Sequence, residues 1–129
     1  MKVKHSLAVL IRRSGKALIV RRPDDDDELP GIWGIPAGTF RGAESAQELI
    51  ARIGRDKLGA GLVAIQLLGS GSRVRPTYVL EMDLWEAAME GEPRHPAWRW
   101  APVSSLLEGA RAGSLCCALA LENENRVSS

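Results

Sequence analysis

Residues 38–61, GTFRGAESAQELIARIGRDKLGAG, put Glu44, Glu48 and Asp56 close in sequence to Arg52 and Lys57. Carboxylate oxygens are the donors hard divalent cations prefer. Guanidinium and ammonium groups attract phosphate. Each residue also has a plainer reading. Glu44 sits where a helix N-terminus favours negative charge. Glu48 suits a cap residue and an i,i+4 partner of Arg52. Asp56 also reads as an ordinary solvated carboxylate.

A helix is predicted over about 45–58 to position these groups. Ser45 and Glu48 have capping-box spacing, and Gly59 stands where a helix C-terminus favours left-handed backbone. At 100° per residue, Leu49, Arg52, Ile53, Asp56 and Lys57 share one side, expected to face the site. Ile50, Ala51, Gly54 and Leu58 form the other, expected to face the core. Gly54 inside a helix costs roughly 1 kcal/mol against Ala, which implies close packing there.

Around this helix, SLAVLIRRSGKALIVRR holds two β-rich runs flanking Ser14-Gly15, an opening hairpin. PDDDDELPG reads as an exposed loop, so Asp24 to Asp27 are taken as solvated rather than as a cation site. GLVAIQLLGS and PTYVLEMDLWEA are strand candidates; the second alternates Leu80, Met82 and Leu84 against Glu81, Asp83 and Trp85. AWRWAPV looks like a last strand. Ser105 and Glu108 repeat the capping-box spacing before a short helix, and SLCCALALENEN reads as a terminal helix. This order suggests an α+β fold or three-layer sandwich in one domain spanning residues 1–129, not a doubly wound sheet.

The spacing Gly38, five residues, Glu44, seven residues, Arg52 resembles the opening of the Nudix box. That pattern is Gly-x5-Glu-x7-Arg-Glu-apolar-x-Glu-Glu-x-Gly-apolar. Gly59 and Ala60 fall in its closing register. The preceding LPGIWGIPAG is similar to the Pro-Gly-x-Trp-x-x-Pro-Gly-Gly approach of many Nudix proteins, with Ala37 in place of the first closing Gly. The resemblance implies an α/β/α sandwich with a mixed β-sheet. It also implies an enzyme that hydrolyses a nucleoside diphosphate linked to another group, using Mg2+ or Mn2+ held by box carboxylates. Such cations neutralise the anionic pyrophosphate and position the attacking water. In that scheme Glu44 orients the site, Arg52 organises carboxylates or phosphate, Asp56 binds metal, and the Gly38 carbonyl adds a ligand.

Two departures stand out. The pattern's Arg-Glu is Arg52-Ile53 here, and its Glu-Glu is Asp56-Lys57. Lys57 places a positive charge where the family has a carboxylate, repelling a cation while attracting phosphate, or else it snorkels past Leu49 and Ile53. The alternative to a hydrolase is therefore a nucleotide-binding or regulatory module that kept the fold and lost the reaction. A structural interaction domain is a third reading.

Other residues carry paired readings. Trp33, Tyr78, Trp98 and Trp100 could stack on a base or fill the core, with Trp33 and Tyr78 the candidates for substrate contact. Glu81 and Asp83 could supply replacement ligands or form a wet strand face. His95 is a base near neutral pH or a solvated loop residue. Cys116 and Cys117 suit packed, reduced thiols.

With 17 basic and 16 acidic residues, the formal net charge is +1. Nothing global steers the chain to a nucleic acid polymer or a membrane. The expected partner is a small nucleotide, the expected location cytoplasmic, and a homodimer is allowed for.

Overall fold

The computed structural model describes residues 1–128. Strand β1 (Lys2–Leu10) lies inside a four-stranded sheet of order β5-β1-β7-β6, formed with β5 (Ala37–Thr39), β7 (Tyr78–Glu90) and β6 (Gly61–Val74). β1 and β7 are parallel, whereas β1–β5 and β6–β7 are antiparallel, so the sheet is mixed. A smaller sheet is built on β3 (Lys16–Arg21). β2 (Arg12–Arg13) and β4 (Trp33–Gly34) pair along one edge of β3, and β8 (Trp98–Ala101) along the other.

Strand alternation makes the layers. Leu7, Val9 and Ile11 join Leu49, Ile50, Ile53 and Leu58 in one core, beneath helix α1 (Ala46–Ile53). Ala8 and Leu10 join Leu84, Leu115, Leu119 and Ala120 in the other, beneath α3 (Leu115–Ser128). The second half of β1, Leu7 to Leu10, is apolar on both faces because both are covered there, as expected of a strand inside a three-layer sandwich. The α/β/α arrangement with a mixed sheet agrees with the expectation.

Several local expectations also hold. Ser14 and Gly15 turn the β2–β3 hairpin at φ 53° and 76°. Ser45 and Glu48 make both halves of the capping box at α1. Leu80, Met82 and Leu84 are buried. Cys116 and Cys117 are free and buried.

Two expectations fail. Leu49 and Ile53 are 0% and 1% exposed, in the core rather than on the site side, whereas Ala51 is exposed. The core stripe is therefore Leu49, Ile50, Ile53 and Leu58, each contributing about 1.5–3 kcal/mol of burial. The regular 100° step also ends at Ile53, because Gly54–Leu58 form a wider π turn. Gly54 lies so close to the next strand that an added Cβ would stand 2.5 Å from the Ala60 carbonyl and 2.9 Å from Leu62 Cγ. Gly59 closes the turn at φ 62°. The Ser105–Glu108 capping box does not form. Val103–Leu106 is a 3-10 turn leading into α2 (Leu107–Arg111), whose start has no side-chain cap.

Candidate active site

The loop from β5 to α1 brings Glu44 back onto the helix. Arg52 Nε donates to Glu44 Oε2 at 2.8 Å, and Nη2 donates to Glu44 Oε1 at 2.9 Å and to the Thr39 carbonyl at 2.7 Å. The side chains are only 12% and 13% exposed, and such two-pronged pairing is both strong and directional. The Arg52 hydrogen bonds, with one from the Arg41 amide, hold the Glu44 carboxyl down to about 2. Glu44 and Arg52 thus meet as the sequence suggested, and together they fasten α1 to β5.

Strand β5 is the sheet edge. Backbone bonds from Val9 to Pro36 and from Phe40 to His5 set its ladder phase, which turns Gly38 toward Leu7. The carbonyls facing away from β1 are then those of Ala37 and Thr39. Cations cover both: Arg52 donates to Thr39, and Lys57 Nζ donates to Ala37. Much of Lys57 is exposed, yet its ammonium turns inward. Burial, helped by the positive charges of Arg22, Arg52 and Lys4, holds it below the ordinary lysine value.

The residues present do not fit a divalent cation held in the family manner. The Gly38 carbonyl is turned into the β1–β5 ladder opposite Leu7, and on its Cα side a built Cβ would meet Ile53 Cγ1 at 3.1 Å and Leu49 Cδ1 at 3.2 Å. Asp56 is exposed and pairs with Arg55 at 3.1 Å, and Glu44 is engaged by Arg52. The metal roles expected for Gly38 and Asp56 therefore find no third ligand. Among the described residues, no group of three or more His, Cys, Asp or Glu side chains is placed to hold a metal ion.

Beside Lys57 lies a polar cavity of about 180 Å³, lined by Lys4, Ser6, Arg22, Glu28, Ala37, Gly38, Thr39, Lys57, Tyr78, Leu80 and Met82. Three cationic side chains face one carboxylate there. Glu28 accepts a 2.7 Å hydrogen bond from the Tyr78 hydroxyl, which raises the Tyr78 pKa. Arg22 also pairs with Asp26 at 2.9 Å; Asp26, lowered chiefly by the Leu29 amide, caps the loop. Lys4, Thr39 and Tyr78 connect this cavity with a larger cleft of about 650 Å³ that includes His5 and Phe40, whose rings lie 4.5 Å apart and are tilted by 32°.

Lys4, Arg22 and Glu28 were not singled out from sequence. They come from two segments, strand β1 and the 22–32 loop, and no spacing links them to Lys57. Only the parallel β1–β7 pairing and the return of the 22–32 loop bring them together. Tyr78 lines both cavities. Trp33 lines neither: it packs on the α3-side core, with Arg99 4.4 Å over its ring. Trp98 and Trp100 pack edge to face on the α1-side core. Asp83 is bound by His5 and Ser70, away from the cationic cavity. His95 accepts a bond from the Ala97 amide and borders a second cavity that Lys57 and Arg22 share.

The mixed sheet, flanking helices and box-like α1 junction define the chain as a protein of the Nudix fold. Particular relatives agree. The MutT protein of Methanosarcina mazei Go1 matches with TM-score 0.82 at 18% identity, over 99% of this chain and 97% of that one. A NUDIX hydrolase from Nitrosomonas europaea matches at 0.79 and 12% identity, over 97% and 90%. The E. coli ORF135 protein matches at 0.72 and 25% identity, over 83% and 79%. In sequence, the chain is 27% identical over 85 residues to the CTP pyrophosphohydrolase of Escherichia coli (strain K12), a stretch covering 66% of this chain and 62% of that protein. No protein-family profile matches. Among the described residues, no helix is long and apolar enough to cross a membrane.

Proposed function

We propose that the chain binds a nucleoside di- or triphosphate derivative in this cleft and hydrolyses one of its phosphoanhydride bonds. The observation that carries the reading is the convergence of Lys4, Arg22 and Lys57 on one small cavity opening into an aromatic cleft. The Nudix fold and the likeness to a CTP pyrophosphohydrolase support the reaction class. The phosphates lie against the three cations, and the nucleoside extends past Tyr78 toward Phe40.

Among the described residues, Glu28 is the only carboxylate lining the cationic cavity. Tyr78 holds its Oε1, leaving Oε2 free to accept a proton from water. As the water oxygen bonds to phosphorus, the bridging P–O bond breaks and the leaving phosphate takes the electron pair beside Lys57 and Arg22. Fixed charge of this kind lowers the barrier where negative charge develops. Glu44 and Arg52 act as positioning residues, since their polar atoms are used on each other and on β5. Mg2+ and Mn2+ enter as conditions to be tested.

The second reading, a nucleotide-binding module without turnover, is favoured by the lack, among the described residues, of a carboxylate cluster placed to hold a metal ion. Phosphorus NMR of nucleoside triphosphates, dinucleotides and nucleotide sugars separates the two. The hydrolase reading expects monophosphate release by the parent, with a large loss of turnover for Glu28→Gln and an affinity at or above the parent's, because the variant removes a negative charge beside the phosphates. Release equal to a buffer blank over the whole panel, with and without either metal, would leave only the binding module.

A further inference from the structure

We infer that the phosphate site works without a divalent cation held by the protein: Lys57, Arg22 and Lys4 bind the phosphate oxygens directly. The inference rests on the nucleotide reading above and deepens it by naming the ionic form of the ligand, the metal-free polyanion.

Three observations carry it. First, the positions that would supply box carboxylates are otherwise engaged: Ile53 packs on Gly38, Lys57 is bonded to the Ala37 carbonyl, Asp56 pairs with Arg55, and Glu44 is taken by Arg52. Second, the cavity wall carries three cationic side chains against Glu28 alone. Asp26 offsets part of the Arg22 charge through one nitrogen, Nη1, and the guanidinium keeps further N–H donors for a ligand. Third, Lys57 contributes to this cavity and to its neighbour of about 250 Å³, which also carries Arg21, Arg22 and Asp26. Its ammonium therefore stands at the boundary between them. Such a wall repels a free dication and attracts a polyanion, so the sign of the magnesium effect on affinity should invert. Magnesium coordinated to the phosphates neutralises the charge that the wall recognises.

The test is calorimetric titration of the parent with α,β-methylene analogues of the four common ribonucleoside triphosphates, in EDTA and then in excess magnesium. The inference expects binding in EDTA, weakened by magnesium on the order of tenfold. Lys57→Gln, checked for an unchanged melting temperature, should lose affinity in EDTA on the order of tenfold and lose the magnesium effect. If an analogue binds only with magnesium, the inference is overturned and the nucleotide site survives. Binding by none of the four analogues in either buffer overturns both. Lys57→Gln binding as tightly as the parent in EDTA also overturns the inference.

Discussion

Replacing Ile53 by glutamate restores the carboxylate that the Nudix pattern has at this position. The structure places that carboxylate in the core, not in a metal site. Ile53 is 1% exposed among Leu7, Leu49 and Leu58 and lies against Gly38. Losing the isoleucine forfeits about 1.5–3 kcal/mol of burial. A carboxyl without a partner costs about 1–3 kcal/mol even when protonated. Together these give about 2.5–6 kcal/mol, against the ~5–15 kcal/mol that holds a domain of ordinary stability.

Ionisation adds a pH signature to this loss. Burial would raise the folded-state pKa of the new carboxyl above its unfolded value, so the folded state binds the extra proton. The variant would be least impaired below about pH 4, the ordinary glutamate range, and would lose stability further as pH rises from there through the raised folded-state value. Urea unfolding of parent and Ile53→Glu at pH 5 and pH 8 reads both effects. A variant within about 1 kcal/mol of the parent at both pH values would refute the packing argument. A midpoint recovered to the parent's by millimolar magnesium would show that the position can ligate a metal after all.

Three further outcomes follow from the same geometry. Glu44→Gln should destabilise the protein at neutral pH. The Glu44 carboxyl is held at about 2, so the pair's contribution is present above the ordinary value of 4.5 and lost as pH falls toward 2; melting curves of parent and variant should therefore converge over that window, and parallel curves would contradict the pairing. Gly54→Ala should destabilise by about 1–3 kcal/mol although alanine is the better helix former by about 1 kcal/mol, because its Cβ meets backbone at the Ala60 carbonyl; a more stable variant in denaturant titrations would show that the π turn opens freely. Asp56→Asn should leave stability within about 0.5 kcal/mol and nucleotide affinity unchanged, since its partner is the exposed Arg55; loss of magnesium-dependent activity would return Asp56 to the mechanism.

The sequence was most legible where the physics is local. The hairpin at Ser14-Gly15, the Ser45–Glu48 cap, the left-handed Gly59 and the alternation of β7 each depend on a few neighbouring residues, and each is seen. The side of α1 that faces the core was harder to read. Leu49 and Ile53 are apolar, but the box register suggested a polar site beneath them, and the π turn after Ile53 breaks the angular count. The Glu44–Arg52 fork was legible because one motif contains both residues. Lys4, Arg22, Glu28 and Tyr78 were not legible as a set. Their contact depends on strand order and on a loop return, which no spacing encodes. The packing of Trp33 on the α3-side core was not legible for a related reason: its place in the approach motif does not say which sheet face β4 presents.

The central claim is that a nucleotide's phosphates sit among Lys4, Arg22 and Lys57, with its nucleoside along Tyr78 and Phe40. Amide chemical-shift mapping during titration with a non-hydrolysable nucleoside triphosphate tests it most directly. The account predicts saturable shifts that cluster at Lys4, Arg22, Ala37 to Phe40, Lys57 and Tyr78. Shifts confined to the separate pocket of Ser70, Ser72, Glu81 and Asp83, or no saturable shifts at all, would contradict it.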